Sequence, residues 1–335
     1  MLPIKTLLVV LQPGRDKQAV WSQALAWART TGARLEALTL VAPDVKPGLS
    51  LAPGLREMAR HSAETQTERW LDALLATAPA NTGHTVVVTD DLTEAVLHEA
   101  RRLRADLIMV AAKDDAGNKS ADNSSNNSDS EGQNQDSHNN PSLSVSQTRN
   151  FRALLRQSPC PVLLVRRDKA PQQFAAALAL GGEDVPHHLL NQTALEHLVL
   201  MARSFQGRAH VLSALPNPVD LVPLMGDAYS ASYTNVDLES RYRANFRRLM
   251  TASGLSESAL TEVGLTENTL HMAMGRPDSV LPELAKANAI DCLLLGTVAR
   301  KGFSAFWLGN TAEDVFPLVA CDVLLLRPQD YFEPD

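Results

Sequence analysis

The chain has 335 residues, of which 44% are hydrophobic and only 5% aromatic, and its formal net charge is −7. This length allows one large or two medium domains, and the acidic balance excludes the basic excess of a nucleic-acid-binding protein. No apolar run approaches the length of a membrane span, and the first ten residues lack the basic flank and cleavage site of a signal peptide. We therefore expect a cytoplasmic protein without a membrane span.

Cysteine and histidine usage argues against a metal site. The three cysteines are Cys160, Cys292 and Cys321. An odd number without C-x-x-C spacing is not typical of a disulfide framework or a zinc knuckle. The adjacent pair His187 and His188 is predicted to lie in a loop, and no H-x-x-x-H pattern supplies further ligands. The sequence predicts no metal.

The first third of the chain alternates short apolar runs with amphipathic segments. Continuous apolar runs such as TLLVVL are typical of buried parallel strands. The predicted elements are strand Thr6–Leu11, helix Gln18–Thr31, strand Leu35–Val41, helix Leu55–Thr77, strand Thr85–Thr89, helix Leu92–Leu103 and strand Asp106–Ala111. This alternation predicts an open α/β sheet with helices on both faces.

The pattern stops at residues 113–150. This segment consists mostly of Asn, Ser, Asp and Gln, with almost no apolar residues. Because it cannot bury enough surface to offset the entropy of ordering, we predict a disordered insertion. Order is expected to resume with a short helix, Phe151–Gln157, and the strand Pro161–Val165.

After a linker, the alternation begins again. The predicted elements of the second half are strand Phe174–Leu180, helix Asn191–Phe205, strand Ala209–Ala214, helix Asp237–Ser253, strand Thr269–Met274, helix Asp278–Asn288, strand Asp291–Leu295, helix Ala312–Val319 and strand Asp322–Leu326.

The two halves match segment by segment. Ala105–Ala111 (ADLIMVA) corresponds to Ile290–Gly296 (IDCLLLG), and Cys160–Arg166 (CPVLLVR) to Cys321–Arg327 (CDVLLLR). Such self-similarity indicates an internal duplication. We predict a first domain over residues 1–168 and a second over residues 169–335.

Each half ends in a strand too apolar to be left exposed. These are Pro161–Val165 and Asp322–Leu326, and apolar edge strands need cover. The simplest cover is each other, across a pseudo-twofold axis. The sequence therefore predicts two tandem five-stranded parallel-sheet domains that form an internal pseudo-dimer.

A glycine-spaced loop follows a strand in the second half. Leu293–Thr311 reads LLLGTVARKGFSAFWLGNT, and a helix is predicted to begin just after it. Glycines let backbone N–H groups approach a phosphate, and the N-terminal end of the helix favours negative charge. Asn310 and Thr311 are suitable caps for that helix.

The spacing of this loop, G-x-x-A-x9-G-N-T, resembles the nucleotide loop of the universal stress protein family, G-x-x-G-x9-G-[S/T]. Gly296 and Gly309 match glycines of that motif, whereas Ala299 replaces a glycine and Asn310 the hydroxyl residue. The segments GRPDSVLPELA and LLRPQDY are also similar to that family. The chain is identified on these segments as a member, similar to its tandem, two-domain E-type proteins.

The resemblance implies two Rossmann-type, adenine nucleotide alpha hydrolase-like domains, dimeric packing and a role in stress tolerance. Nucleotide-binding members carry an Asp at the end of the first strand. Gln12 and Ala179 stand at the corresponding positions here, and neither is acidic. In the first half Ala111 replaces Gly296, and residues 113–150 replace the glycine loop, so no cofactor is expected there.

For the second half we predict a degenerate pocket for ATP or another adenine nucleotide. The N–H groups of Gly309 and Asn310 would hold phosphates, and Thr297 and Val298 would border the sugar. The complete predicted set is Gly296, Thr297, Val298, Arg300, Gly309, Asn310 and Thr311. A tight connection without a ligand is the alternative that the loop leaves open.

No motif pairs a nucleophile with a base, so we predict a regulatory binding protein without catalytic residues rather than an enzyme. Three alternatives stay open. The chain could be a scaffold without a ligand, or a weak ATP hydrolase. It could also bind a hydrophobic ligand beneath the loops Ala42–Leu55 and Pro216–Tyr233. Its expected partners are its own two domains, and the sequence leaves a homodimer and the identity of any protein partner open.

Overall fold

The structure, a computed structural model, describes residues 4–13, 18–41, 53–89, 91–112, 152–181, 185–217, 235–296 and 310–326. Its first half contains β1 (Thr6–Leu11), α1 (Ala19–Thr31), β2 (Arg34–Val41), α2 (Pro53–Leu75), β3 (Gly83–Val88), α3 (Leu92–Leu103), β4 (Leu107–Ala111), α4 (152–157) and β5 (Val162–Val165).

The second half repeats this order with one additional short helix. It contains β6 (Gln173–Ala177), α5 (Val185–Ser204), β7 (Arg208–Leu215), α6 (Asn235–Ala252), α7 (Glu257–Glu262), β8 (Leu270–Met274), α8 (Pro277–Ala287), β9 (Cys292–Gly296), α9 (Asn310–Val315) and β10 (Asp322–Leu326).

The described strands form one sheet in the order β3-β2-β1-β4-β5-β10-β9-β6-β7-β8. Neighbouring strands are parallel except β5 and β10, which pair antiparallel at the centre. The predicted α/β fold with a mostly parallel sheet is confirmed. The two strands that end the two halves lie side by side, so each covers the apolar edge of the other.

Helices cover both faces of the sheet, and the buried side chains form two clusters. One cluster lies under α1, α2, α5 and α6 and includes Trp27, Phe174, Phe205 and Phe246. The other lies under α3, α4, α8 and α9 and includes Leu154 and Phe316. Each cluster contains residues of both halves, so the hydrophobic core is continuous across the β5–β10 pair.

The two halves also share unusual backbone conformations. Gly32 and Gln206 have positive φ angles of 71° and 53°, and each directly precedes the segment leading into the second strand of its half. Arg104 and Ala289, with φ angles of 50° and 49°, stand before β4 and β9 in the same way. Helices of both halves thus end in the left-handed conformation common at helix C-termini.

Several predicted boundaries need correction. Helix α5 begins at Val185 rather than Asn191, so His187 and His188 lie in a helix and not in a loop. The cause is Pro186, which fits the first turn of a helix because it needs no backbone N–H partner there. Strand β6 ends at Ala177, three residues before the predicted end.

Helix α2 spans Pro53–Leu75 rather than the predicted Leu55–Thr77, and β3 spans Gly83–Val88 rather than Thr85–Thr89. Two further differences concern short helices. Helix α9 spans Asn310–Val315, earlier than the predicted Ala312–Val319. Helix α7 was not predicted from sequence; its N-cap is Ser256, whose side chain accepts a hydrogen bond from the backbone of Ala259. The predicted insertion at residues 113–150 and most of the two long loops lie outside the described residues.

Candidate functional site

The structure describes only part of the predicted glycine-loop site. Gly296 is the last residue of β9, and Asn310 and Thr311 open α9, where Thr311 is exposed. Thr297, Val298, Arg300 and Gly309 lie outside the described residues. The nucleotide site therefore stays a prediction.

Gly296 lies against Leu190 of helix α5. A Cβ atom added to Gly296 would stand 2.5 Å from the Cγ atom of Leu190, far inside van der Waals contact. Glycine at this position therefore permits close packing between β9 and α5. This gives Gly296 a structural role that does not depend on a ligand.

The strand registers define which residues of the two halves correspond. Leu7 pairs with Leu107 in the first half, and Phe174 pairs with Cys292 in the second. Because the sequence aligns Leu107 with Cys292, Leu7 corresponds to Phe174. The same offset makes Gln12 the counterpart of Ala179, as the sequence predicts.

A residue one or two positions beyond the first strand of each half is held by a side-chain amide. Gln18 Nε2 donates to the carbonyl of Gln12 at 2.9 Å, and Gln18 Oε1 accepts from its N–H at 3.0 Å. In the second half, Asn191 Nδ2 donates to the carbonyl of Ala179 at 3.0 Å, and Asn191 Oδ1 accepts from its N–H at 3.1 Å. We call this arrangement the amide clamp.

The sequence analysis missed the amide clamp. An amide side chain carries both donor and acceptor groups, so it can pair at once with the backbone N–H and the backbone carbonyl of one residue. The only sequence signal was an amide residue, Gln18 or Asn191, at the start of the predicted following helix in each half. That signal is weak because Gln and Asn are common there.

A cleft of about 930 Å³ opens beside the second clamp, between α5 and α6. Leu180 and Leu249 form an apolar floor, since both are buried. His188, Arg247 and Arg248 are exposed and lie at its edge. The lining thus combines an apolar base with basic groups.

The charge of the cleft is one-sided. Among the described residues, none that lines it is acidic. Arg247 Nη1 contacts both carboxylate oxygens of Glu267 at 3.1 Å, whereas Arg248 makes no ion pair or hydrogen bond with a described residue. In a protein of net charge −7, this is a local basic surface.

Acidic residues occupy the opposite, amino-terminal ends of the strands. Asp106 Oδ2 accepts hydrogen bonds from the N–H groups of Lys5 and Thr6 at 2.8 and 2.9 Å. The counterpart Asp291 Oδ2 accepts from two consecutive N–H groups at 2.8 and 2.9 Å. Asp291 therefore has a structural role, away from Gly296.

Two histidines meet on the sheet near the same end. His210 Nδ1 lies 3.1 Å from His271 Nε2, and His210 Nε2 lies 3.0 Å from Gln173 Oε1. Burial lowers the pKa of both imidazoles. Within the described ranges, no group of three or more His, Cys, Asp or Glu side chains is placed to hold a metal ion.

The cysteines are consistent with packing roles. Cys160, Cys292 and Cys321 are all buried, and none of the three forms a disulfide. Burial raises the pKa of the Cys321 thiol to about 12 and that of Cys292 well above its ordinary value. Reactive thiols need a stabilised thiolate, which these sites disfavour.

No helix in the part of the chain that the structure describes is long and apolar enough to cross a membrane.

The parallel sheet, the helices on both faces and the glycine at the carboxyl end of β9 define a Rossmann-like α/β protein. Comparison with known proteins identifies the family. Residues 187–327 match the family model described as the universal stress protein family. The second half of this chain therefore carries a universal stress protein domain, and the family identified from sequence is confirmed.

The curated relatives agree with this identification. The chain is 31% identical over 179 residues to Universal stress protein E homolog of Haemophilus influenzae, an alignment that covers 52% of this chain and 54% of the relative. It is 30% identical over 185 residues to Universal stress protein E of Escherichia coli K12, covering 54% and 55%. The chain thus spans about half the length of the curated relatives it matches.

Two solved structures share the fold over nearly the whole chain. A protein of unknown function from Pseudomonas aeruginosa PAO1 aligns with a TM-score of 0.62 and 23% identity, covering 98% of this chain and 94% of that one. A universal stress protein from Archaeoglobus fulgidus DSM 4304 aligns with a TM-score of 0.60 and 11% identity, covering 96% and 98%. At these identities the comparison supports the fold alone.

Proposed function

We propose that this chain is a cytoplasmic stress-response protein that acts by binding rather than by catalysis. Its second domain, residues 169–335, binds an adenine nucleotide such as ATP at the carboxyl end of β9. Its first domain, residues 1–168, does not bind nucleotide and supports the second across the β5–β10 pair. Occupancy of the site changes the contacts that the chain makes with a protein partner.

One observation carries the nucleotide proposal. Gly296, the first glycine of the loop motif, ends β9 next to β6, the strand that Ala179 follows. The carboxyl ends of neighbouring parallel strands are where open α/β sheets bind ligands. The pocket is called degenerate because neither Gln12 nor Ala179 supplies the carboxylate expected for a nucleoside.

The test is calorimetric titration of the purified protein with ATP. We expect micromolar binding that Gly309→Asp abolishes, because a carboxylate at the phosphate position repels the ligand. Gly302→Asp is the matched control, since it adds the same charge to the same loop at a position that the motif leaves variable. Equal affinity in wild type and Gly309→Asp would refute the site. Phosphate release that persists on repurification and depends on Gly309 would instead support the hydrolase alternative.

The cleft between α5 and α6 supports a second candidate function. Its apolar floor and basic edge suit a ligand with an apolar body and an anionic group, in place of nucleotide. The probe is the anionic dye 8-anilinonaphthalene sulfonate. We expect saturable binding to one site that Arg248→Glu weakens and Arg203→Glu, outside the cleft, does not. Equal binding to both variants would rule out the cleft.

We further propose the tandem arrangement as an internal pseudo-dimer of two five-stranded units. The support is the mirrored strand order about β5 and β10 and the matching left-handed residues before equivalent strands. Hydrogen exchange of the full chain tests it. Amides of β5 and β10 should be among the most protected, since they lie at the centre of a sheet that both halves share.

A further inference from the structure

The contact between the two halves has a local twofold axis. In the β5–β10 pair, Leu163 lies opposite Leu324. Leu324 is also the residue that corresponds to Leu163 when CPVLLVR is aligned with CDVLLLR. Val162 lies opposite Leu325, and Leu164 opposite Val323. The pairing is therefore symmetric about Leu163 and Leu324. A residue near this axis in one half faces its own counterpart in the other.

The alignment extends to the helices that flank this pair. With the same offset, Leu154 and Leu155 correspond to Val315 and Phe316, and all four are buried in the same core cluster. Arg152 then corresponds to Glu313. The two helices thus place an arginine and a glutamate at equivalent positions near the axis.

These two positions meet in the structure. Glu313 Oε2 lies 3.7 Å from Arg152 Nε, and Glu313 Oε1 accepts from Arg156 Nη2 at 2.6 Å and from Arg156 Nε at 3.1 Å. The Glu313 side chain is only 14% exposed. One carboxylate of the second half is therefore held by two guanidinium groups of the first half.

A second asymmetric contact lies on the other side of β10. Asp322 Oδ1 accepts hydrogen bonds from the N–H groups of Arg166 and Arg167 at 2.7 and 3.0 Å, and its Oδ2 accepts from Gln23 Nε2 at 2.8 Å. The counterpart of Asp322 in the first half is Pro161, which has no carboxylate. The acceptor is thus present in only one half.

We propose that these contacts make the interface heterotypic, so that each half selects the other half and disfavours a second copy of itself. In a twofold-symmetric interface between two identical halves, every contact between two residues occurs twice, once on each side of the axis. In a pair of two first halves, Arg152 of one copy would take the place of Glu313 and lie against Arg152 and Arg156 of the other copy. Pro161 would take the place of Asp322 opposite Gln23. A pair of second halves would bring Glu313 against Glu313. Specificity here comes from repulsion in the wrong pair as well as attraction in the right one.

The heterotypic interface does not depend on a bound nucleotide. The β5–β10 surface takes the chain's own other half as its partner. A homodimer of this chain would therefore have to use a different surface, because unlike halves already satisfy each other here. The side chain of Arg166 adds no asymmetry, since its counterpart is also an arginine, Arg327.

Charge reversal in the full chain reproduces the charges of the two wrong pairs. Glu313→Arg places three basic residues together, as in a pair of first halves. Arg152→Glu combined with Arg156→Glu places three acidic residues together. We expect each change to raise the unfolding equilibrium constant in urea by about tenfold or more, and the triple reversal to return it to within about threefold of wild type.

The matched control is Glu262→Arg, which breaks the exposed pair with Arg203 inside the second half and should change the constant by less than about threefold. If the Glu313→Arg protein does not fold, Glu313→Gln is a milder substitution that can be measured both in wild type and in the Arg152→Glu, Arg156→Glu background. Recovery in the triple reversal supports the proposal. The proposal would be overturned if substitution of Glu313 changed the unfolding equilibrium constant equally in the wild-type background and in the Arg152→Glu, Arg156→Glu background.

Discussion

Gln23 and Asp322 are 299 residues apart in the chain and share a buried hydrogen bond of 2.8 Å between Nε2 and Oδ2. Trp27 Nε1 donates to Gln23 Oε1 at 3.2 Å, which fixes the orientation of the amide. Gln23 Nε2 also contacts the carbonyls of Arg167 and Lys169. One helix of the first half thus anchors both the linker and the last strand of the second half.

The position of Asp322 predicts a pH dependence of stability. Burial raises its pKa to about 6, although the backbone N–H groups of Arg166 and Arg167 oppose this shift. Between the ordinary value of 3.8 and about 6, the folded protein keeps a proton that the unfolded chain releases. The contribution of Asp322 to the free energy of unfolding therefore falls as pH rises through this range, by about 2–3 kcal/mol.

Urea unfolding of wild type and Asp322→Asn at pH 4.5 and pH 7 measures this contribution. Because Asn does not titrate, the difference between the two proteins isolates the carboxyl group. We expect wild type to lose stability relative to the variant as pH rises. A difference that is constant with pH would show that Asp322 titrates normally in the folded protein.

The paired imidazoles of His210 and His271 predict the opposite dependence. Since burial lowers both pKa values, the unfolded chain binds more protons below about pH 6.5 than the folded protein does. Stability should fall as pH drops through this range. His271→Gln should flatten the fall in urea unfolding experiments, whereas His84→Gln, at an exposed position, should not. Parallel curves for all three proteins would contradict this prediction.

Packing at Gly296 predicts a steric effect that a second substitution relieves. Gly296→Ala places a Cβ 2.5 Å from the Cγ of Leu190 and should destabilise the protein by about 1–3 kcal/mol. In a Leu190→Ala background the same change should cost much less, because the clash is removed. Thermal unfolding of the four proteins gives the coupling. An equal cost in both backgrounds would mean that the strand end shifts to accommodate the methyl group.

The amide clamps predict similar costs in the two halves. Asn191→Ala leaves both polar groups of Ala179 without their partners and should lower the free energy of unfolding by about 1–3 kcal/mol. Gln18→Ala should do the same for Gln12. Gln192→Ala, which breaks only a hydrogen bond to Glu196 within α5, serves as control at about 0.5 kcal/mol or less. Losses at the clamps no larger than this control would indicate that water replaces the amides.

The sequence predicted much of the local architecture. The bounds of β1, α3 and β10 match the structure, because each carries a hydrophobic pattern of clear period. The predicted start of α5 was wrong, because the helix was placed at Asn191 whereas it begins at Val185. A proline can either precede a helix or lie in its first turn, as Pro186 does. The backbone conformation distinguishes these two positions, and the sequence does not.

The candidate site was less predictable. The glycine loop could be recognised from its spacing, but the packing of Gly296 on Leu190 could not. The cleft combines Leu180, His188 and Arg248, which no local pattern links. Its existence depends on how far apart α5 and α6 pack, and that distance is set by side chains along both helices.

The sequence by itself determined the duplicated α/β pattern, the family and the apolar strands that end each half, because these depend on local periodicity and short motifs. The tertiary structure alone decided which residues meet across the two halves. The contacts of Glu313 with Arg152 and Arg156, and of Asp322 with Gln23, join segments more than 150 residues apart. They follow from strand register and core packing, which position distant side chains in a way that local patterns do not encode.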